Sequence, residues 1–128
     1  MFKKQNEETL IKDAETIIGP SIKIKGDFFG KGNIIVEGIL EGSLKTSSGL
    51  YVGDKAKITA AIEAKDAKIG GEVKGNIKIK GYLEILATAK INGDVEALGI
   101  SVAKGAFING RLTMKTDEKE SADLKKIN

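Results

Sequence analysis

The chain has 128 residues, a formal charge of +3, and no cysteine, histidine or tryptophan. This length fits a single domain, and the missing cysteines exclude disulfides and thiolate metal sites. Without histidine the chain also lacks the side chain that most often exchanges protons near neutral pH, so the composition argues against an enzyme and no cofactor is expected.

Residues 1–16 are dense in charge, contain no glycine and follow no repeat, which predicts a flexible N-terminal tail. The tail opens with two apolar side chains before two cations, Met1, Phe2, Lys3 and Lys4. Burying Met and Phe in a bilayer stabilises by roughly 1.5–3 kcal/mol each, and each Lys adds about 1 kcal/mol beside anionic lipid. One such peptide binds weakly, whereas many along a polymer bind well through avidity. These four residues are therefore predicted to target a membrane, although they also fit an ordinary chain start without function.

No stretch is apolar enough to span a bilayer, and the first residues lack the apolar core of a signal peptide, so a cytoplasmic location is expected. Residues 26–32, Gly-Asp-Phe-Phe-Gly-Lys-Gly, have some likeness to a phosphate-binding loop. The segment is one residue short of the Walker spacing and lacks its Ser or Thr, so corners of a repeated β-structure explain these glycines better.

One frame recurs from residue 17 to residue 114. It consists of a small or aliphatic residue, a variable one, Ile, a variable one, a small one, a variable one and an aliphatic one. Segments 67–73 (Ala-Lys-Ile-Gly-Gly-Glu-Val) and 89–95 (Ala-Lys-Ile-Asn-Gly-Asp-Val) show it most clearly. The period of two predicts β-strands whose Ile and aliphatic positions face a core while the variable polar positions face water.

The inward positions repeat in units of 16 or 17 residues, as from 50 to 67, 67 to 83 and 83 to 100. Extended backwards, units start near Ile34 and Ile17, which gives about six units. A unit this short cannot bury its own apolar face and must stack on its neighbours. The prediction is an all-β, three-sided solenoid over residues 17–115 with glycine at its corners. An antiparallel meander is the alternative, but the Asn-Gly pairs that would form hairpins fall inside the frame.

The outward positions of the frame carry an informative exception. Lys57, Lys68 and Lys90 take the same place in their segments, which favours solvation of a flat sheet surface but also fits a basic stripe for DNA or anionic lipid. The last segment has Phe107 at that place instead. An exposed ring there is covered either by a folded-back tail or by another molecule.

Neither end of the predicted solenoid shows a cap. Residues 116–128 are charge-dense and glycine-free, and they are predicted to form a flexible C-terminal tail. Uncapped end units expose unpaired backbone groups and half of an aliphatic layer, which favours end-to-end association. The predicted polymerisation interface is Phe107, Ile108 and Leu112 at one end and Ile17 and Ile18 at the other.

Residues 16–29, Thr-Ile-Ile-Gly-Pro-Ser-Ile-Lys-Ile-Lys-Gly-Asp-Phe-Phe, resemble the opening of bactofilins. The likeness extends through residues 35–44, Ile-Val-Glu-Gly-Ile-Leu-Glu-Gly-Ser-Leu, and through the glycine-punctuated repeats to Leu112. This resemblance implies a right-handed triangular β-helix and a bacterial cytoskeletal protein that polymerises without nucleotide into non-polar filaments. It also implies that residues 1–4 are a membrane-targeting peptide and that apolar residues of the end unit form the filament contacts. The C-terminal tail lacks the proline-rich character of some members.

We therefore expect a non-enzymatic cytoskeletal scaffold at the inner face of the cytoplasmic membrane. The expected partners are further copies of the chain, joined head-to-head and tail-to-tail, the membrane, and cell-wall enzymes or polarity proteins; nucleic acid is not expected. A binding module that uses a lysine-rich face for DNA or anionic lipid without polymerising is the second reading. A hexapeptide-type acyltransferase is the third and weakest, because those triangular β-helix enzymes generally use a histidine base.

Overall fold

The computed structural model describes residues 14–115, and every regular element in that part of the chain is a β-strand. No helix long and apolar enough to cross a membrane occurs within the same residues. The strands are β1 (Ala14–Ile18), β2 (Lys23–Gly30), β3 (Asn33–Val36), β4 (Ile39–Thr46), β5 (Gly49–Val52), β6 (Lys57–Ala64), β7 (Asp66–Ile69), β8 (Glu72–Lys74), β9 (Ile77–Ile79), β10 (Tyr82–Ile85), β11 (Lys90–Asn92), β12 (Val95–Ala97), β13 (Gly99–Val102), β14 (Phe107–Asn109) and β15 (Leu112–Met114).

All strand pairs are parallel, and each strand pairs with strands one turn of the chain away rather than with its sequence neighbour. The chain winds through three faces in every turn. The first face contains β1, β3, β5, β7, β10 and β13. The second face contains the first halves of β2, β4 and β6 followed by β8, β11 and β14, and the third contains their second halves followed by β9, β12 and β15. Six such turns, called rungs below, confirm the predicted all-β solenoid.

The register between rungs confirms the repeat length read from the sequence. On the first face, Leu50 lies opposite Ala67, Ala67 opposite Leu83, and Leu83 opposite Ile100. These are the positions predicted to start successive units. Because equivalent residues lie directly above one another, the spacing of the frame along the chain becomes the stacking of the solenoid along its axis.

At the first rung the predicted phase differs by one residue from the structure. Thr16, rather than Ile17, lies opposite Ile34, and Ile17 is paired with Ile35 on the outer side of the sheet. The first rung is longer than the others because it has four residues between β1 and β2 as well as two between β2 and β3. Strand β1 begins at Ala14, three residues before the predicted boundary at residue 17.

Aliphatic side chains fill the interior in columns that run along the solenoid axis. Every member of one such column except the last is buried, and the four in the middle pack between equivalents in the neighbouring rungs. Burying a side chain of this size stabilises the fold by roughly 1.5–3 kcal/mol, so the core is shared between rungs and no rung has one of its own. This column consists of Ile18, Val36, Val52, Ile69, Ile85 and Val102.

Glycine stands at the corner between the second and third faces in five of the six rungs. Gly42, Gly75, Gly93 and Gly110 have positive φ there, and a Cβ at each would collide with the carbonyl oxygen of the residue one rung earlier. Ala60 occupies this corner in the third rung, paired with Gly42, and its φ is not positive. Strands β2, β4 and β6 all run through this corner without a break, whether Gly26, Gly42 or Ala60 stands there, and only the later rungs are divided into two strands at their glycines.

One polar side chain is buried among residues 14–115, and it closes a corner. The Thr46 hydroxyl donates a hydrogen bond to the carbonyl of Gly32 at 2.6 Å and accepts one from the Ser48 amide at 3.2 Å. Both bonds lie at the corner between the third and first faces. The hydroxyl is thus satisfied, which removes the penalty of burying it.

Candidate functional site

The described part of the chain contains no catalytic or metal-binding constellation. Within residues 14–115, no group of three acidic side chains could hold a metal ion. Residues 26–32 lie in the edge strand β2 and the corner after it, rather than in a loop that opens a helix. A groove of about 700 Å³ on the first face is lined by Ile35, Tyr51 and Lys68, whose Nζ lies 3.9 Å from the Glu84 carboxylate. No nucleophile stands beside a base in this groove.

The C-terminal end of the solenoid leaves an apolar layer open. Strands β13, β14 and β15 each pair on one side only, so their outer backbone edges have no partner strand among the described residues. The side chains of Val102, Leu112 and Met114 are exposed, although their equivalents one rung earlier are buried. An open strand edge beside exposed aliphatic side chains is a surface suited to another β-structure.

Phe107 stands at the outer side of this end. It lies in β14 opposite Lys90 of β11, and its side chain is 56% exposed. Its column on the second face continues through Glu72 to Lys57. The prediction that an apolar ring takes the place of lysine in the last rung is therefore confirmed relative to Lys57 and Lys90. The neighbouring Ile108 is partly buried and packs against the core.

Lys68 does not belong to that column. It lies on the first face between Tyr51 and Glu84. The basic stripe that Lys57, Lys68 and Lys90 offered as an alternative to plain solvation does not form, because two of these lysines share a column on the second face, separated by an acid, and the third lies on another face. All three faces repeat the same alternating pattern, so residues at the same position of the pattern can lie on different faces of the solenoid.

The N-terminal end is built differently from the C-terminal end. Ile17 of the edge strand β1 faces outward and is 50% exposed, whereas Ile18 faces the core and is 1% exposed. In β2, the inward Ile24 and Phe28 are partly buried, and the outward Phe29 is 73% exposed. This end therefore presents exposed apolar groups on its rim, whereas the C-terminal end presents them at inward positions of its first and third faces, Val102, Leu112 and Met114.

Comparison with known proteins decides what kind of solenoid this is. The family model described as "Bactofilin: Polymer-forming cytoskeletal" matches residues 16–113, almost the whole described solenoid. The chain belongs to the bactofilin family. It is 32% identical over 106 residues to Bactofilin BacO of Myxococcus xanthus (strain DK1622), a match that covers 83% of this chain and 84% of BacO. It is 33% identical over 99 residues to Bactofilin BacP of the same organism, which covers 77% of this chain and 41% of BacP. No solved structure was found to match.

This bactofilin thus belongs to a polymer-forming cytoskeletal family of structural proteins, and its ends are the surfaces where polymer contacts are to be sought. The structure brings Phe107, Ile108 and Leu112 together in the last rung, as expected from the sequence. It places Ile17 on the rim of the other end and Ile18 in the core, where Ile18 supports β1 but presents almost no surface.

The exposed apolar residues of this bactofilin's end rungs that were not singled out from the sequence include Val102, Met114 and Phe29. Val102 and Met114 occupy ordinary core positions of the frame, and only the absence of a further described rung leaves them exposed. Phe29 is an outward residue of the first rung. A count of rungs would have found the first two, since the last rung's core positions have nothing to stack on. The predicted membrane-targeting residues 1–4 and the predicted tail 116–128 lie outside the described residues.

Proposed function

We propose that this bactofilin assembles without nucleotide into non-polar filaments through contacts between like ends. The observation that supports this proposal is the open C-terminal layer of Val102, Leu112 and Met114, with Phe107 exposed at its outer side, beside strand edges that have no partner strand within residues 14–115. Burying such side chains stabilises by roughly 1.5–3 kcal/mol each, set against the entropy lost on association. Assembly by apolar burial and strand-edge contact needs no chemical energy source.

The difference between the two ends favours contact between like ends. The C-terminal layer is aliphatic and open, whereas the equivalent core position at the other end, Ile18, is 1% exposed. Two C-terminal layers therefore match each other in chemistry better than one matches the N-terminal rung. A contact between identical surfaces is isologous, and a chain of alternating isologous contacts has no polarity.

Assembly is tested by pelleting the purified protein with and without ATP and by electron microscopy of the untreated sample. Sedimentable filaments in both conditions are the expected result. A protein that stays monomeric at high concentration would refute the proposal. It would favour the second reading, a binding module that uses a basic surface for anionic lipid or DNA without polymerising.

The proposal extends to the cell membrane. The filament is proposed to lie on the inner face of the cytoplasmic membrane, held by residues 1–4, and to serve as a scaffold for cell-wall enzymes or for shape and polarity factors. This part is supported by Met1 and Phe2 standing before Lys3 and Lys4, and by the multiplication of a weak contact along a polymer. Deleting residues 1–4 is expected to leave filaments intact and to weaken their co-sedimentation with anionic liposomes at least tenfold. Unchanged binding would contradict the role given to this peptide.

A further inference from the structure

The corner between the third and first faces, called here the third corner, carries an unusual run of lysines. It comprises residues 31–32, 47–48, 65, 80–81, 98 and 115, one position or pair from each rung. No acidic residue occupies this corner in any rung, and four of the six rungs place a lysine there. At about 4.8 Å per rung these lysines extend over roughly 24 Å of the solenoid. They are Lys31, Lys65, Lys80 and Lys115.

The neighbouring outward column of the third face holds as many lysines as acids, and one of its acids pairs with Lys115 of the corner. That column alternates Lys45, Glu63, Lys78 and Glu96. Its two acids are engaged by lysines, since Lys45 Nζ lies 3.6 Å from Glu63 and Lys115 Nζ lies 3.1 Å from Glu96.

On the other side of the corner, the one acid also has a partner. The Asp66 carboxylate accepts a hydrogen bond from the Tyr82 amide at 2.8 Å. Within residues 14–115, Lys65, Lys78 and Lys80 form no ion pair. The edge as a whole thus keeps three more lysines than acids.

Two exposed apolar side chains accompany the lysines. Phe29, 73% exposed, heads the same third-face column in the first rung, and Leu98, 49% exposed, occupies the corner in the fifth. A shallow recess of about 550 Å³ opens here, lined among others by Phe29, Lys31, Lys45 and Lys80. Cations that flank exposed apolar groups along one edge match the chemistry of an anionic bilayer surface, whose headgroups carry phosphate and whose boundary accepts apolar side chains.

We propose that the third corner lies on an anionic phospholipid surface, with its lysines at the headgroup phosphates and with Phe29 and Leu98 at the boundary of the acyl chains. The proposal rests on the membrane-bound filament proposed above and adds which edge of the folded domain faces the lipid. The groove of the first face is lined by Glu37, Asp66 and Glu84 against the single cation Lys68, which makes that face less suited to an anionic surface than the corner.

A bilayer fits this edge better than a nucleic acid does. Binding to single strands relies on several aromatic side chains on which bases stack, and sequence-independent duplex binding relies chiefly on contacts with the phosphates. The third corner has one exposed aromatic ring, Phe29, and one exposed aliphatic side chain, Leu98, arranged beside the cations. Those two side chains have a partner in a bilayer and none along a phosphate backbone.

The test uses filaments of the protein without residues 1–4, so that any vesicle binding has to come from the rest of the chain. Vesicles containing about 30 mol% phosphatidylglycerol are compared with vesicles of phosphatidylcholine alone. Lys65→Glu with Lys80→Glu is compared with a matched control on the second face, Lys57→Glu with Lys90→Glu. Electron microscopy confirms that both variants still form filaments, so that a change in binding is not a loss of avidity.

We expect binding to the anionic vesicles alone, and we expect added salt to weaken it. The vesicle affinity should fall by about fivefold or more for each lysine changed at the third corner. The affinity of the control variant should stay within about threefold of the parent's. Phe29→Ser is expected to weaken it further. Equal loss in both double variants, or loss in neither, overturns the assignment of the third corner. If filaments without residues 1–4 show no vesicle binding at all, the membrane-bound filament stands and this inference fails. Binding to a short DNA duplex but not to vesicles would also overturn it.

Discussion

Phe107 lies directly beyond Lys90, one rung further along the second face, with its Cα in register through the pairing of β14 with β11. A lysine in the last rung but one keeps that surface in water, and a phenyl ring at the same place in the last rung makes the surface end in an apolar group. The contrast between these two neighbours marks the boundary between the lateral surface of the solenoid and its C-terminal end surface.

Phe107→Arg is predicted to abolish filament formation while leaving the fold intact. The side chain is 56% exposed, so its replacement should change the free energy of unfolding by no more than about 0.5 kcal/mol. A charge brought into an apolar contact, however, is strongly unfavourable. Circular dichroism melts and pelleting measure the two effects. The matched control is Tyr82→Arg, an aromatic of similar exposure on the side of the solenoid, which should still polymerise. Filaments of normal length from the Phe107 variant would exclude this ring from the interface.

Leu112→Ser is predicted to raise the critical concentration for assembly more than Ile17→Ser does. Leu112 belongs to the open layer of the C-terminal end, whereas Ile17 sits on the rim of the other end above the buried Ile18. Losing the burial of a leucine is worth roughly 1.5–3 kcal/mol, or about a tenfold change in concentration or more. Light scattering across a dilution series gives both values. The opposite order of the two variants would mean that the N-terminal contact dominates assembly.

Assembly is predicted to strengthen with salt. The last rung carries Lys104 and Arg111, and residues 97–115 contain no acid, so these cations of two apposed C-terminal ends repel each other electrostatically. Raising sodium chloride from about 0.1 M to about 1 M shortens the screening length from roughly 10 Å to 3 Å and weakens this repulsion.

The control separates screening from the general effect of salt on apolar burial. Lys104→Gln with Arg111→Gln should polymerise better than the parent at low salt and respond less to added salt. If the double variant keeps the full salt response, charge repulsion is not its cause.

Gly93→Ala is predicted to destabilise the solenoid by about 2 kcal/mol or more. The residue has a φ of +143°, and a Cβ would collide with the carbonyl oxygen of Gly75 in the rung before it. Gly19→Ala is the control, because its Cβ would meet only the Ile22 side chain, at 3.9 Å, and its φ is not positive. Urea unfolding followed by circular dichroism compares them. Equal midpoints would show that the corner can relax around a methyl group.

The sequence predicted the repeat length, the strand alternation and most of the core, because stacking turns periodicity along the chain directly into neighbours in space. Leu50, Ala67 and Leu83 were placed in one column from spacing alone. The face on which an outward residue lies was harder to predict. The three faces share one alternating pattern, and the connections at the corners have one, two or four residues. The sequence does not mark these lengths, so the pattern alone cannot tell on which face a residue lies. For that reason Lys68 was grouped with lysines of another face.

The exposed ends were predicted only in part. Phe107 breaks the frame and so stands out from the sequence, whereas Val102 and Met114 obey it. These two side chains are exposed because of their position in the last rung, not because of their residue type. The alignment of the third-corner lysines along one edge could not be predicted, for a related reason. They fall outside the seven-residue frame, in connections of differing length, and only the closed turn of the solenoid brings them to one edge.

The uniform stacking of six rungs makes the protomer a unit of fixed length. At about 4.8 Å per rung, six rungs measure roughly 29 Å along the axis. A filament joined by like ends then repeats every two protomers, roughly 58 Å, whereas a head-to-tail filament repeats every one. Adding or removing a complete rung would change this spacing by a known step without altering either end. The number of rungs therefore sets the spacing between equivalent sites along the filament.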